Sequence, residues 1–225
     1  MILSVIIPLF NEINTIGTLI EKVQSVPIEK EIIIVDDYST DGSREYIQNL
    51  ESDNTIKAYH KKNMGKGFAI RTGLKNITGD IIIIQDADLE YDPNDYVKLI
   101  EPIIKGETKV VFGNRYHSGN DMYFSRFKVA VLFLTKLANW LYGTNISDEA
   151  TCYKVFHKEV FGRINLNCKR FEFCPEVVAK VSKIGFSITE IPISYNPRTI
   201  DDGKKIKFKD AIEAVYTLLK YRFVN

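Results

Sequence analysis

The sequence predicts an α/β fold in which helices cover both faces of a mostly parallel central sheet. Short apolar runs, typical of strands buried on both faces, alternate with segments of helical spacing through the first half of the chain. The most pronounced run is four consecutive isoleucines at 81–84, which lead into Asp86, Asp88 and Glu90. The composition agrees with such a fold, because 45% hydrophobic and 26% charged residues among 225 are ordinary for a globular protein.

Strand and helix patterns follow one another in a regular order. The strands are predicted at residues 2–8, 31–35, 56–60, 81–84 and 109–112. The helices are predicted at residues 15–26, 44–50 and 68–76, and another begins with Asp92 as N-cap and Pro93 in the first helical position. This alternation favours a mostly parallel sheet.

The second half contains two amphipathic helix candidates, residues 124–142 and 209–223. The first is apolar on most sides, but Arg126, Lys128 and Lys136 make it too charged to span a bilayer. The second carries one apolar stripe among mostly basic residues. Each is suited either to a membrane surface, with lysines at the headgroups, or to packing against the rest of the fold or a second copy. The sequence leaves both possibilities open.

The overall charge and the cysteines limit the kinds of partner and compartment. A formal net charge of +1 provides no field that would attract nucleic acid. Cys152, Cys168 and Cys174 lack the spacing of metal ligands, and an odd number of cysteines suits free thiols in a reducing cytoplasm. Residues 1–8 begin a strand without a basic leader, so we expect a cytoplasmic protein without a signal peptide.

Carboxylates follow the isoleucine strand at alternate positions. On an extended backbone, Asp86 and Asp88 point to the same side. Ligands of open α/β sheets bind at the carboxyl ends of the strands, and carboxylates there suit a hard divalent cation such as Mg²⁺ or Mn²⁺. We therefore predict Asp86, Asp88 and Glu90 as metal ligands. The alternative is a solvated turn that caps the next helix.

Two further strand ends carry side chains that suit a nucleoside. Pro8-Leu9-Phe10-Asn11-Glu12 ends the first strand, and Val35-Asp36-Asp37 ends the second. Carboxylates there would accept hydrogen bonds from a nucleobase or a ribose, although each segment alone is equally typical of a helix cap. The segment Gly65-Lys66-Gly67 matches neither a P-loop nor a dinucleotide-binding fingerprint, and its lysine is a candidate to face a diphosphate.

These motifs together resemble those of the inverting glycosyltransferases of family 2, which have the GT-A fold, a Rossmann-like arrangement. More narrowly, the chain resembles the dolichyl-phosphate mannose synthase-like branch, which transfers a sugar from a nucleotide donor to a polyprenyl phosphate. The resemblance covers nearly the whole chain. Its carriers are Val5–Glu12, Val35–Gly42, Asn63–Gly67, Asp86–Glu90, Gly113–Tyr116, Thr151–Phe156, Phe171–Glu176 and Ile191–Tyr195.

The resemblance implies a role for each matching position. The nucleoside would be lined by Pro8, Phe10, Glu12, Val35 and Asp37, with Lys66 near the donor. Asp86-Ala87-Asp88 would hold the metal and the donor diphosphate, Arg115 would approach a phosphate, and Arg198 and Lys204 would close over the diphosphate. The chain departs from these synthases at Glu90, where many have Gln, and at Tyr38-Ser39-Thr40, so the sugar and the base stay open between GDP-mannose and UDP-glucose types.

The implied reaction is a single displacement that inverts the anomeric carbon. A phosphate acceptor is already ionised near neutral pH, since the second pKa of a phosphomonoester is about 6. A glycan hydroxyl as acceptor would instead require a general base, for which Asp148 and Glu149 are the candidates. A non-catalytic protein that binds nucleotide sugars is a third possibility.

The resemblance also implies an organisation and a location. We expect one domain over residues 1–225, with residues 1–117 binding the nucleotide sugar and residues 118–225 forming the acceptor side. Asp88, Arg115 and Asp148 are the predicted catalytic residues. A lipid acceptor would place the chain at the cytoplasmic face of a membrane, held by peripheral contact or by a small membrane partner.

Overall fold

The computed structural model describes residues 1–116, 126–198, 205 and 208–224. The strands are β1 (Leu3–Leu9), β2 (Lys30–Asp36), β3 (Thr55–Tyr59), β4 (Ile81–Ile84), β5 (Val110–Asn114), β6 (Lys154–His157) and β7 (Ile188–Pro192). The helices are α1 (Ile13–Ser25), α2 (Ser43–Asn49), α3 (Lys66–Gly73), α4 (Tyr96–Ile104), α5 (Arg126–Tyr142), α6 (Glu159–Arg163), α7 (Phe173–Lys183) and α8 (Phe208–Phe223).

The strands form a single sheet in the order β3-β2-β1-β4-β6-β5-β7. The neighbours among β1, β2, β3 and β4 run parallel, as do β5 and β7, whereas β6 is antiparallel to both β4 and β5. The isoleucines of β4 are fully enclosed, which is the burial expected of a central parallel strand. The predicted mostly parallel α/β sheet is therefore confirmed.

Strands β6 and β7 and helices α6 and α7 were not assigned from the sequence. β6 is only four residues long, and it begins with the buried cation Lys154 rather than an apolar residue. The Lys154 ammonium donates to the carbonyls of Glu149 and Thr151 and lies 4.2 Å from the centre of the Phe112 ring. The hydrogen bonds compensate for the loss of water around this charge, so a residue that normally argues against a buried strand is accommodated.

The order of the strands determines where the functional side chains meet. β1 lies between β2 and β4, so the carboxyl ends of the three strands that precede the predicted motifs are adjacent. The Thr15 hydroxyl at the start of α1 donates to the Ala87 carbonyl at 2.8 Å. This hydrogen bond connects the segment after β1 to the segment after β4. The fold thus brings the three acidic strand ends to one edge of the sheet.

Helices α5, α7 and α8 form a layer of their own in the second half of the chain. The Tyr142 hydroxyl at the end of α5 donates to the Leu218 carbonyl in α8 at 2.6 Å. Within the described residues, each helix is too short or too polar to traverse a lipid bilayer.

Candidate active site

A cleft of about 450 Å³ opens at the carboxyl ends of β1, β2 and β4. Most of the side chains predicted from the sequence line it, namely Pro8, Phe10, Glu12, Asp37, Lys66, Asp86, Ala87, Asp88, Glu90, Arg115 and Arg198. It is also lined by residues that were not predicted, among them Tyr91, Cys152, Arg170, Phe171, Tyr195 and Lys205. The cleft therefore joins both halves of the chain.

The carboxylates of the cleft are paired with cations of the same chain. Lys66 lies 2.5 Å from Asp86. The Arg198 guanidinium donates to Asp88 at 2.8 Å and to Glu12 at 3.0 Å. Arg198 is thus a bridge between the end of β1 and the end of β4.

Glu90 serves as an anchor for the segment that carries Arg198. Its carboxylate accepts a hydrogen bond from the Tyr195 hydroxyl at 2.8 Å and another from the Arg198 backbone N–H at 3.0 Å. Glu90 therefore lines the cleft with Asp86 and Asp88 while its carboxylate holds the segment after β7. Its role as a third metal ligand stays a prediction.

The surroundings of Asp86 and Asp88 shift the pKa values of the two carboxyl groups in opposite directions. Burial raises the pKa of Asp88 to about 7, and the nearby charges of Asp86 and Glu90 act in the same direction. Burial is the largest single influence on Asp86 and would raise its pKa, but the Lys66 ammonium, the Cys152 thiol and the Arg198 charge together hold that pKa below its ordinary value. Asp88 is therefore a carboxylate whose negative charge is only partly compensated by the protein.

This incomplete compensation fits a divalent cation. Four carboxylates, Glu12, Asp86, Asp88 and Glu90, face the cleft beside Lys66, Arg198 and Lys205. Across the described residues, no three histidine, cysteine, aspartate or glutamate side chains converge as a ready metal cluster. Asp86 and Asp88 are the pair whose oxygen chemistry suits Mg²⁺ or Mn²⁺, and their role as metal ligands stays a prediction.

The end of β2 builds a rigid wall around Asp37. Its carboxylate accepts hydrogen bonds from the Met64 and Gly65 backbone N–H groups at 2.8 and 2.7 Å, and it lies 2.7 Å from His60 Nδ1. Gly65 has a φ of +93°, and a Cβ there would lie 2.4 Å from the Lys169 carbonyl oxygen, so only glycine fits this turn.

Val35 is not part of this wall. Its side chain is fully buried in the core and does not line the cleft. Asp37, which follows the last residue of β2, is the residue of this segment that lines the cleft. The Val35 side chain is therefore not exposed to the cleft, and its predicted contact with the nucleoside stays a prediction.

Lys205 is a cleft residue that sequence reasoning missed. Its ammonium lies 2.6 Å from Glu12 and also donates to the Phe10 carbonyl. The resemblance had pointed to Lys204, which lies outside the described residues. The two lysines are adjacent and chemically identical, so no sequence signal distinguished them.

Arg115 and Asp148 form a buried ion pair at the edge of the cleft, which Arg115 lines. The Nε and one terminal nitrogen of Arg115 each donate to a different Asp148 oxygen at 2.7 Å, and the Arg115 backbone N–H donates to the same carboxylate. Asp148 is buried and does not line the cleft, so it orients Arg115 rather than accepting a proton from a substrate. The predicted role of Asp148 as a general base is not supported by this geometry.

Glu149 is also absent from the cleft lining. Its side chain is buried, and its Oε1 has no hydrogen-bond partner. Burial raises the pKa of Glu149 to about 7.

Comparison with known proteins gives a family match over most of the chain. The sequence profile described as "Glycosyl transferase family 2" matches residues 4–164. A dolichol-phosphate mannosyltransferase of Pyrococcus furiosus is 29% identical over 98% of this chain, which spans 64% of that protein. A UDP-N-acetylglucosamine–dolichyl-phosphate N-acetylglucosaminyltransferase of Methanococcus voltae is 29% identical, with 85% of this chain and 84% of that protein covered. The low-salt glycan biosynthesis hexosyltransferase Agl6 of Haloferax volcanii is 28% identical, and this chain covers 48% of it.

Solved structures share the fold at low sequence identity. Glucosyl-3-phosphoglycerate synthase of Mycobacterium tuberculosis, solved with Mn²⁺, UDP and phosphoglyceric acid, superposes with a TM-score of 0.77 at 16% identity over 99% of this chain and 79% of that one. Mannosyl-3-phosphoglycerate synthase of Rubrobacter xylanophilus gives 0.76 at 17% identity, over 98% and 72% of the two chains. These likenesses establish the GT-A fold.

Proposed function

The chain belongs to glycosyl transferase family 2, and on that premise we propose that it transfers a hexose from a nucleotide-diphosphate sugar to a polyprenyl phosphate, with inversion at the anomeric carbon. The observation that carries the proposal is the concentration of paired carboxylates and cations at one sheet edge, in a cleft large enough for a nucleotide sugar. The two dolichyl-phosphate transferases among the relatives support the lipid phosphate as acceptor.

The donor lies along the ends of β1, β2 and β4 in this proposal. Phe10 and Pro8 line the nucleoside site together with Asp37 on the neighbouring strand end, whose carboxylate is held by the Gly65 turn. Asp86 and Asp88 face the diphosphate together with Lys66. The base is of the uracil or guanine type, as in UDP-glucose or GDP-mannose.

A divalent cation is proposed to sit with the diphosphate, held by Asp86 and Asp88. When bound, such an ion supplies charge neutralisation for the leaving nucleoside diphosphate. Arg198 and Lys205 add fixed positive charge on the same side, since both already contact Glu12 in the cleft. Preorganised charge of this kind stabilises negative charge as it develops in the transition state.

The transfer is a single in-line displacement. An oxygen of the acceptor phosphate forms a bond to the anomeric carbon while the bond from that carbon to the donor diphosphate breaks, and the leaving nucleoside diphosphate takes the electron pair. A phosphate acceptor needs no general base near neutral pH, since its second pKa is about 6. This agrees with a cleft whose facing carboxylates are engaged by cations and from which Asp148 and Glu149 are turned away.

Transfer to an acceptor that is a membrane lipid also implies a location for the protein in the cell. We place it at the cytoplasmic face of a membrane, in peripheral contact with the bilayer or with a small membrane partner. The relatives named for dolichyl-phosphate transfer support a membrane-borne acceptor.

A donor panel tests the proposal. UDP-glucose, GDP-mannose and related nucleotide sugars, each radiolabelled, are incubated with polyprenyl phosphate or with a soluble glycan, in the presence of Mn²⁺ or of a chelator. We expect label to enter the organic phase for one donor, and only with metal. Transfer to the glycan alone, or turnover that the chelator leaves unchanged, would overturn the acceptor or the metal assignment respectively.

A further inference from the structure

The outward side of α5 is apolar where a surface helix is normally polar. Val129, Leu132, Phe133 and Trp140 recur at the spacing of one helical face and are all exposed, Trp140 to 78%. Lys136 is an exposed charge on this stripe. The opposite side of the helix is already packed, because Leu134 and Ala138 belong to the hydrophobic core. The exposed stripe is therefore additional to what the fold needs.

Helix α8, which packs against α5, presents a second exposed stripe. Ile212, Tyr216, Leu219 and Phe223 lie on one face and are exposed, Phe223 to 84%. Ala214 and Leu218 on the other face belong to the core. The two helices pack side by side, and the hydrogen bond from Tyr142 to the Leu218 carbonyl fixes them together. We call the two stripes together the α5–α8 face.

We propose that the α5–α8 face is the surface by which the protein docks onto an anionic lipid leaflet. Exposed apolar patches of this kind mark sites of contact with a membrane or a protein. Trp and Tyr side chains are suited to a lipid–water boundary, because they combine an apolar ring with a polar group. Trp140 and Tyr216, both exposed, occupy such positions on this face.

The charges around the face select an anionic leaflet over a second copy of the chain. Lys136, Lys209, Lys220 and Arg222 are exposed on these helices, whereas Glu213 is the one exposed acid in the described parts of α5 and α8. A two-fold dimer through this face would bring a basic surface against itself, which costs free energy. Anionic headgroups would instead complement it, and each lysine or arginine near such a surface favours binding.

The face is also connected to the cleft. Lys205, which lies on Glu12 inside the cleft, precedes the first residue of α8 by three positions. Arg170 lines the cleft and contacts Asp210 in the first turn of α8 at 3.5 Å. A leaflet bound to α8 would therefore lie close to the cleft. The inference deepens the proposed use of a lipid acceptor, but its test does not depend on turnover.

Vesicle co-sedimentation tests the proposal. The full chain is mixed with vesicles of phosphatidylcholine alone or of an equal mixture with phosphatidylglycerol, neither of which contains polyprenyl phosphate. We expect binding to the mixed vesicles that weakens with salt. The double variant Trp140→Ser/Phe223→Ser should bind about tenfold or more weakly, since it removes two large apolar side chains from the contact.

Two controls make the result specific. Val97 and Ile104 on α4 are each 51% exposed, so Val97→Ser/Ile104→Ser removes two exposed apolar side chains elsewhere, although a smaller apolar area. This control should bind like the wild type, whereas Lys136→Glu/Lys220→Glu should weaken binding to the mixed vesicles. Absence of wild-type binding, or equal weakening by the α4 control, would overturn the proposal.

Light scattering and turnover distinguish the remaining outcomes. A wild-type dimer that Trp140→Ser/Phe223→Ser converts to monomers, with vesicle binding unchanged, would identify the face as a dimer interface and overturn the proposal. Turnover onto a short-chain, water-soluble phosphate should be the same in this variant and the wild type. Failure of the proposed reaction would instead leave vesicle binding intact.

Discussion

The contacts of Arg198 predict that its removal has opposite effects on metal binding and on catalysis. In the donor-free protein its guanidinium contacts Asp88 at 2.8 Å and Glu12 at 3.0 Å. A cation that binds Asp88 must displace or weaken this contact. Arg198→Ala should therefore tighten Mn²⁺ binding in the absence of nucleotide, although it removes a positive charge that the proposed reaction uses.

The size of both effects follows from these contacts. A hydrogen bond between charged groups contributes about 1.5–3 kcal/mol, and each 1.4 kcal/mol is tenfold in affinity, so Mn²⁺ should bind roughly 10- to 100-fold more tightly. Removal of a group that stabilises developing charge typically lowers kcat by about 10²–10³-fold, and we expect turnover to fall by that amount.

Titration of the free Mn²⁺ signal by electron paramagnetic resonance measures the affinity without nucleotide. Arg71→Ala is the matched control, because Arg71 binds the Asn167 and Cys168 carbonyls, both at 3.4 Å, and does not line the cleft. Its Mn²⁺ affinity should equal that of the wild type. If Arg198→Ala leaves Mn²⁺ affinity unchanged or weakens it, the reasoning that Arg198 occupies the carboxylates proposed to bind the metal is refuted.

Three further substitutions test the scaffold of the site by urea unfolding. Asp148→Asn leaves the buried Arg115 guanidinium without its counter-charge and should lower the free energy of unfolding by about 3 kcal/mol. Gly65→Ala should lower it by at least about 1 kcal/mol, because the +93° φ and the Lys169 carbonyl oppose a Cβ, and an unchanged value would contradict the turn as described. The folded-state pKa of Glu149, about 7, lies above the ordinary 4.5, so its contribution lowers the free energy of unfolding as the pH rises from about 4.5 to about 7, by about 3 kcal/mol in total, and stays constant above that range. Glu149→Gln removes this fall and should be more stable than the wild type at pH 8 but not at pH 5, whereas parallel pH profiles would show that the carboxyl is not held protonated.

Much of the fold was predictable because its strongest signals are local. The isoleucine run of β4 and the apolar runs of β1 and β2 require burial on both faces, and this alone places them in the middle of a parallel sheet. Since the carboxyl ends of neighbouring parallel strands share an edge, the convergence of Glu12, Asp37 and Asp86 in one cleft also followed.

The parts that were missed depend on contacts between distant residues. Arg115 and Asp148 are 33 positions apart, and only the folded chain shows that the carboxylate holds the guanidinium instead of facing a substrate. Lys205 and Arg170 reach the cleft because of how the second half packs, and no local pattern marks them. Glu90 carries the same charge as a metal ligand, but Tyr195 and the Arg198 backbone determine where that charge points.

The central claim is that the acceptor is a lipid phosphate and that no carboxylate acts as a base. Comparing polyprenyl phosphate with the polyprenol of the same chain length, under saturating donor and Mn²⁺, tests it most directly. We predict metal-dependent transfer of the sugar to the phosphate and none to the alcohol, with the transfer lost in Asp86→Asn and Asp88→Asn. Comparable transfer to the polyprenol or to a glycan hydroxyl would contradict the account.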